Sequence, residues 1–311
     1  MIHPSCAIVC LALNGQLEYH GRMIDETTYQ SRRSLIFTPG TRPDMFAKAL
    51  KSGADIVCVD LEDAIAPAHK NEARDKTLPT VAGSPAGDGI ERMVRVNSLR
   101  TADGLADVLA ILAAPKAPLA LMLPKVKSPD EVRLIEELLD GAHAAIRFHV
   151  IIETNEGLEA CHEIARASAR IDSLLFGAVD MAAELRVEPT WSTLVYARSR
   201  MVHAAAGAAL DLIDVPFLDL GDMEGLAVEA AASAALGMTG KAAIHPKQIP
   251  VINDCFTPDA ATIARARRII AAFKAGDSGL VVVDGKLIEK PVLRSMYRIV
   301  AIADHVATKD G

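Results

Sequence analysis

Glu153 directly follows the apolar β-formers Val150-Ile-Ile152, and Asp180 closes Phe176-Gly-Ala-Val-Asp180. On neighbouring strand ends, two such carboxylates supply the sparse, all-oxygen ligation that Mg²⁺ prefers, leaving positions for water and a chelating substrate. Acids placed after strands also cap the helices that follow, and for Asp180 both readings stand at this point. Glu is a poorer N-cap than Asp, which makes Glu153 the stronger ligand candidate.

Arg95 sits between Val94 and Val96, where a permanent charge is costly unless something balances it. Its planar fork suits a carboxylate or a developing enolate oxygen; it equally suits an ion pair with Asp60, Glu62 or Asp63 that closes a barrel end. The acids of Asp60-Leu-Glu-Asp63 need cations nearby to remain ionised together. Lys125, ending Leu123-Pro-Lys125, could form a Schiff base with a keto-acid, but no neighbour visible in the sequence would depress its pKa, so an ion-pair or anion-binding role is favoured. His245, fixed in a turn by Pro246, reads as a structural hydrogen-bonding residue with general-base chemistry as the alternative.

The elements that position these groups are eight short β-rich runs: Ser34–Gly40, Ile56–Asp63, Met93–Asn97, Leu119–Lys125, Phe148–Thr154, Leu174–Asp180, Leu210–Pro216 and Lys241–Pro246. Each gap is long enough for a helix, so the pattern is βα repeated eight times and the expected fold is an α/β (β/α)8 TIM barrel. Barrel active sites form where the strands end. That rule gathers Asp60, Glu62, Asp63, Arg95, Asn97, Lys125, Glu153, Asp180 and Asp214 at one mouth. Among the helices, Asp44–Lys51 stops near Gly53, Ser128–Leu139 opens with a capping Ser and Pro129, and the Ala-rich Val195–Ala209 and Gly225–Leu236 pack against the barrel. The expected organisation is an N-terminal extension over 1–31, a catalytic barrel over 32–274 and a C-terminal lid over 275–311.

Charge and cysteines bound the function. Against 40 Asp+Glu stand 33 Lys+Arg, a net −7, and without a basic block nucleic acid is not an expected partner. Five scattered cysteines, an odd number without a CxxC pair, indicate neither a disulfide framework nor a zinc site, and the expected compartment is the cytoplasm. The apolar run Ala7–Leu13 lacks a basic leader and falls far short of the ~20 residues a membrane span needs, so no membrane association is expected.

Read in order, the runs Arg32-Arg-Ser-Leu-Ile-Phe-Thr-Pro-Gly40, Val59-Asp-Leu-Glu-Asp-Ala64, Val94-Arg-Val-Asn97, Leu123-Pro-Lys125, Ile152-Glu-Thr154, Phe176-Gly-Ala-Val-Asp180, Tyr196-Ala-Arg-Ser-Arg200 and Gly240–Ile249 resemble the citrate lyase β-subunit family, which includes malyl-CoA, β-methylmalyl-CoA and citramalyl-CoA lyases within the HpcH/HpaI aldolase group. The resemblance implies a Mg²⁺-dependent barrel, with Mn²⁺ able to substitute, that breaks or forms a C–C bond between a 2-keto-acid and acetyl-CoA. It places metal ligands on Glu153 and Asp180, a substrate-binding and catalytic arginine on Arg95, and an acidic pair behind the metal site on Glu62 and Asp63, which with Glu153 also bind substrate. It also implies a lid over Gly279–Pro291, often acting across a subunit boundary in a homotrimer or hexamer. The lid's catalytic acid falls on Glu289, where the family carries Asp. The favoured substrate is (S)-citramalyl-CoA. Malyl-CoA or β-methylmalyl-CoA cleavage, a citryl thioester lyase subunit of a larger complex, and a metal-independent Schiff-base aldolase using Lys125 are the alternatives.

Overall fold

A computed structural model of the chain describes residues 17–19, 22–24, 30–276, 279–289 and 292–310. The run Ala7–Leu13, and Lys290 and Pro291 of the expected lid, lie outside the described residues. The chain divides into two compact units, Arg32–Phe256 and a second made of Met1–Ser31 with Thr257–Gly311. In the second, β1 (Leu17–Tyr19) and β2 (Arg22–Ile24) form an antiparallel pair.

The larger unit is a closed parallel barrel of eight strands: β3 (Ser34–Pro39), β4 (Ile56–Asp60), β5 (Glu91–Arg95), β6 (Ala120–Leu123), β7 (Arg147–Ile152), β8 (Ile171–Phe176), β9 (Asp211–Asp214) and β10 (Gly240–Ala243), which pairs back onto β3. β3, β4, β6 and β9 fall within their sequence runs, whereas β5, β7, β8 and β10 overlap theirs but begin one to three residues earlier. Helices α1 (Pro43–Ala49), α2 (Lys70–Gly83), α3 (Ala102–Ala113), α4 (Pro129–Leu138), α5 (Asn155–Glu159), α6 (Cys161–Ile164), α7 (Ala178–Leu185), α8 (Trp191–Gly207), α9 (Met223–Leu236) and α10 (Ile249–Phe256) make up the outer layer. Alanines make the close approach of α8 possible, with Ala197, Ala204 and Ala205 buried. Gly53 takes φ +83° just beyond α1, where a side chain would be strained. Ser128 occupies the N-cap of α4 but its side chain makes no capping bond.

Strand alternation sets which residues can reach the mouth. Leu35, Cys58, Met93, Ile151 and Leu175 fill the barrel interior as one cluster. Two residues further along the chain come Phe37, Asp60 and Arg95 on the same strand face, and Glu153 and Gly177 just past the ends of β7 and β8. Their register is tight, with Asp60 directly opposite Arg95 on the neighbouring strand.

The same parity overturns one expectation. Ile213 belongs to the interior cluster, so Asp214 faces outward into the helix layer. There it accepts bonds from Arg198 Nε (3.0 Å), Ser233 Oγ (2.7 Å) and Lys241 Nζ (2.8 Å) and is fully buried. Asp214 is a strut between barrel and helices and not a member of the mouth. At the N-terminal end of the barrel, the Arg32 guanidinium pairs with Glu91 (2.6 Å), Asp172 (3.2 Å) and Asp211 (3.1 Å). His149 joins them through Glu91 (3.1 Å) and Ser173 (2.7 Å). Glu91, His149 and Asp172 lie close enough to hold a metal ion, but Arg32 already supplies the cation, and this face reads as structural.

In the smaller unit, α11 (Ala260–Ala275), a hairpin of β11 (Leu280–Val283) and β12 (Lys286–Glu289), and α12 (Leu293–Asp310) share a core of Ile269, Ile270, Val283, Ile288 and Leu293. The hairpin turns through Asp284 and Gly285, both at positive φ, as a two-residue turn between right-twisted strands requires. No described helix is long and apolar enough to cross a membrane.

Candidate active site

Asp60 and Arg95 form the floor of the mouth. Arg95 donates from Nε (2.7 Å) and Nη2 (2.6 Å) to the two carboxylate oxygens of Asp60, which is 1% exposed. This bidentate match is the strong form of such a pair. The guanidinium lies over the Phe37 ring, 5.1 Å from its centroid. Its remaining edge, Nη1, is 3.2 Å from Glu62 Oε2 and 3.9 Å from Asp63. The Glu62 contact is close but not aligned, and Glu62 Oε2 is buried without a hydrogen-bond partner. Arg95 thus realises the ion pair foreseen from its sequence context, while one edge faces a carboxylate that is incompletely satisfied.

Lys125 stands across from that edge. Its Nζ reaches Glu62 Oε1 (2.5 Å) and Asp63 Oδ1 (3.1 Å), and the two carboxylates raise its pKa against the opposing effect of burial. An amine held protonated in this way is a poor Schiff-base nucleophile. The Lys125 backbone takes φ 54°, a conformation uncommon for a residue with a side chain. In that conformation its amide donates to Glu153 Oε1 (2.8 Å).

Glu153 is 3% exposed. Burial, followed by the charges of Glu62 and Asp180, pushes its pKa up to about 8. It caps nothing: Thr154 is the N-cap of α5, accepting from the Gly157 amide at 3.1 Å. Asp180 is not a cap either. The strand ends at Phe176, Gly177 stands at the N-cap of α7 without a side-chain bond, and Asp180 lies in the first helical turn. Both capping readings are therefore replaced by two carboxylates held close and unbridged by any cation in contact with them among the described residues.

Gly177 makes that approach possible. A Cβ there would meet Glu153 Oε2 at 2.5 Å and overlap the Glu153 Cβ. Its φ of −96° is open to any residue, so room for Glu153 is the constraint. Sequence reading gave Gly177 no role, because the need for glycine appears only once the Glu153 side chain is placed.

Two candidates lie elsewhere. His245 accepts from the Lys247 amide (3.1 Å) and caps a 3-10 turn at Pro246–Gln248, the structural role expected of it. Glu289 ends β12 opposite Leu280, in the smaller unit, with its side chain exposed.

The chain matches the HpcH/HpaI aldolase/citrate lyase family over residues 33–246. It is 34% identical to the L-malyl-CoA/beta-methylmalyl-CoA lyase of Rhodobacter capsulatus, over 88% of this chain and 94% of that protein. It is 31% identical to the mitochondrial citramalyl-CoA lyase of Rattus norvegicus, over 90% and 88% of the two chains. Among solved structures, CitE from Mycobacterium tuberculosis in complex with magnesium, acetoacetate and coenzyme A superposes with a TM-score of 0.69 at 30% identity, covering 88% of this chain and 98% of that one. RipC from Yersinia pestis superposes with a TM-score of 0.66 at 38% identity, over 76% and 99%. With the barrel, its mouth and these similarities in place, the chain belongs to the HpcH/HpaI aldolase/citrate lyase family.

Proposed function

We propose that this protein is a Mg²⁺-dependent carbon–carbon lyase that cleaves (S)-citramalyl-CoA to acetyl-CoA and pyruvate. The observation that carries the reading is the group of buried Glu153 and Glu62 with half-buried Asp180, facing Arg95 and Lys125 at the C-terminal end of the barrel. The pair Glu153 and Asp180 fits a hard divalent cation: the ligand atoms are all oxygen, and the Glu153 pKa is raised by burial and neighbouring carboxylates. Glu153 and Asp180 would hold Mg²⁺, which when bound supplies Lewis acidity toward a substrate carboxylate and hydroxyl.

The chain's own groups do the rest. Arg95, braced by Asp60, presents Nη1 to oxyanion charge. Glu62 and Asp63 hold Lys125 and face Arg95, fixing both cations around the keto-acid portion. As the C–C bond breaks, the substrate hydroxyl gives its proton to water, its O–H electron pair forms the keto C=O of pyruvate, and the C–C electron pair moves to the thioester α-carbon. We assign Glu289 as the acid that protonates that carbon, and as the base that removes the proton in reverse. The side chain of Glu is one methylene longer than that of Asp, which the exposed end of a hairpin can accommodate.

Pyruvate is favoured over oxaloacetate because Arg95 and Lys125 are each committed to carboxylates, leaving neither free for a second substrate carboxylate. The functional unit we infer is a cytoplasmic homotrimer or a multiple of one, in which the C-terminal segment closes over a neighbouring barrel.

A panel of citramalyl-, malyl-, β-methylmalyl- and citryl-CoA tests the assignment. Citramalyl-CoA is expected to give the highest kcat/KM, EDTA to abolish turnover and Mg²⁺ or Mn²⁺ to restore it. EDTA-resistant cleavage with borohydride trapping on Lys125 would sink the metal-dependent mechanism. A second expected result concerns Gly177→Ala: the added methyl group displaces Glu153, and activity should fall roughly 10²-fold, the scale of an ångström-level misplacement. Unchanged activity in this variant would show that Glu153 has room to spare.

A further inference from the structure

We propose that Lys70 is a positioning residue that orients the Asp60–Ala64 loop so that the Glu62 side chain meets Arg95 and Lys125. The inference rests on the functional reading above. Lys70 opens α2, and its Nζ donates to three uncharged acceptors: Leu61 O (2.8 Å), Glu62 O (2.7 Å) and Asn97 Oδ1 (2.6 Å). An ammonium has three N–H groups, so its donors are fully used.

The other side of the loop is held by the opposite charge. Asp60 accepts from the amides of Glu62 (2.8 Å) and Ala64 (3.0 Å). The loop therefore turns amides toward a buried anion and carbonyls toward a cation, an arrangement that fixes the sense of its peptide planes. With those planes fixed, the Glu62 side chain is directed to Arg95 Nη1 and Lys125 Nζ.

Lys70 is anchored to a rigid frame through its third acceptor. Asn97 donates from its backbone amide and from Nδ2 to Asp107 Oδ2, both at 2.7 Å. Asp107 is fully buried and takes a further bond from Arg74 Nε (2.6 Å). Helices α2 and α3 thereby set the position of an active-site carboxylate that neither carries. Glu153 and Asp180 stand on other elements, so Lys70 governs the keto-acid side of the mouth and not the metal side.

The test compares Lys70→Met, similar in length but without N–H donors, with Lys70→Arg and the wild type. Each full-length protein is titrated with Mn²⁺ alone and then, at saturating Mn²⁺, with pyruvate. For Lys70→Met, pyruvate binding should weaken roughly ten- to hundredfold, the scale of lost bonds from a charged donor. Its Mn²⁺ affinity should stay within about twofold, and Lys70→Arg should recover part of the loss. Wild-type pyruvate affinity in Lys70→Met overturns the role. So does equal loss of both ligands, which marks a general structural defect. If Lys70→Met does not yield folded protein, Lys70→Gln, uncharged with two amide N–H donors, carries the same comparison. A wild-type protein that binds neither Mn²⁺ nor pyruvate would overturn the functional reading itself.

Discussion

Exchanging Glu153 for glutamine and Asp180 for asparagine in one chain is expected to remove Mn²⁺ binding and to lower turnover by at least about 10³-fold. Lewis-acid stabilisation by a bound metal is worth several kcal/mol, and each ~1.4 kcal/mol is a factor of ten in rate. Both replacements keep the original shape. The glutamine carbonyl can still accept the Lys125 amide now donated to Glu153 Oε1, and its size meets Gly177 as before. What disappears at Glu153 is the capacity to become an anion at a buried position that already has Glu62 beside it. The metal-free variant should therefore unfold at the wild-type temperature or slightly above it, which separates lost chemistry from lost fold. Mn²⁺ titration and thermal unfolding on the same samples decide the matter. Wild-type Mn²⁺ affinity with undiminished turnover would remove both residues from the mechanism.

How much of this was legible in the sequence depended on what each residue acts through. Asp60, Arg95 and Glu153 could be found because an acid or a guanidinium at the end of an apolar β-run is costly and conspicuous. In the barrel each lies two residues beyond an interior side chain: Cys58, Met93 and Ile151. Asp214 ends its run in the same way, yet it stands one residue after Ile213 and so points outward. Run-ending chemistry was visible; register was not, and register alone separates a mouth residue from a strut.

Asp180 stands out in the sequence as a carboxylate but is assigned to the wrong element, because nothing in Phe176-Gly-Ala-Val-Asp180 marks where strand gives way to helix. Lys70 escaped notice for a different reason. Its acceptors include two backbone carbonyls, which leave no trace in residue type or spacing. Gly177 and the left-handed Lys125 are of the same kind, since their roles depend on atoms of Glu153 that the fold brings to them. Side chains that do chemistry announce themselves by type, whereas those that place them are defined by geometry.

Arg95→Lys is the second large expected effect, and it asks whether Arg95 acts on substrate or only supports Asp60. Lysine keeps the positive charge but cannot reproduce the fork that spans both Asp60 oxygens while aiming Nη1 across the mouth. Losing one preorganised donor to developing negative charge typically costs about 10²–10³ in kcat. A loss of that size is expected in kcat, with weaker pyruvate binding at saturating Mn²⁺ and Mn²⁺ affinity unchanged. The stability change should be moderate, because Asp60 keeps a cation nearby and retains the amides of Glu62 and Ala64. Arg95→Met behaves differently: it strands a buried carboxylate, a defect on the order of 3–5 kcal/mol, and should lower the unfolding temperature far more than the lysine variant does. Comparing the two separates the roles, since a pure strut would make activity follow stability across the pair. If Arg95→Lys turns over at near wild-type rates while Arg95→Met is merely unstable, Arg95 braces the barrel mouth without touching the substrate, and oxyanion stabilisation must be sought at Lys125.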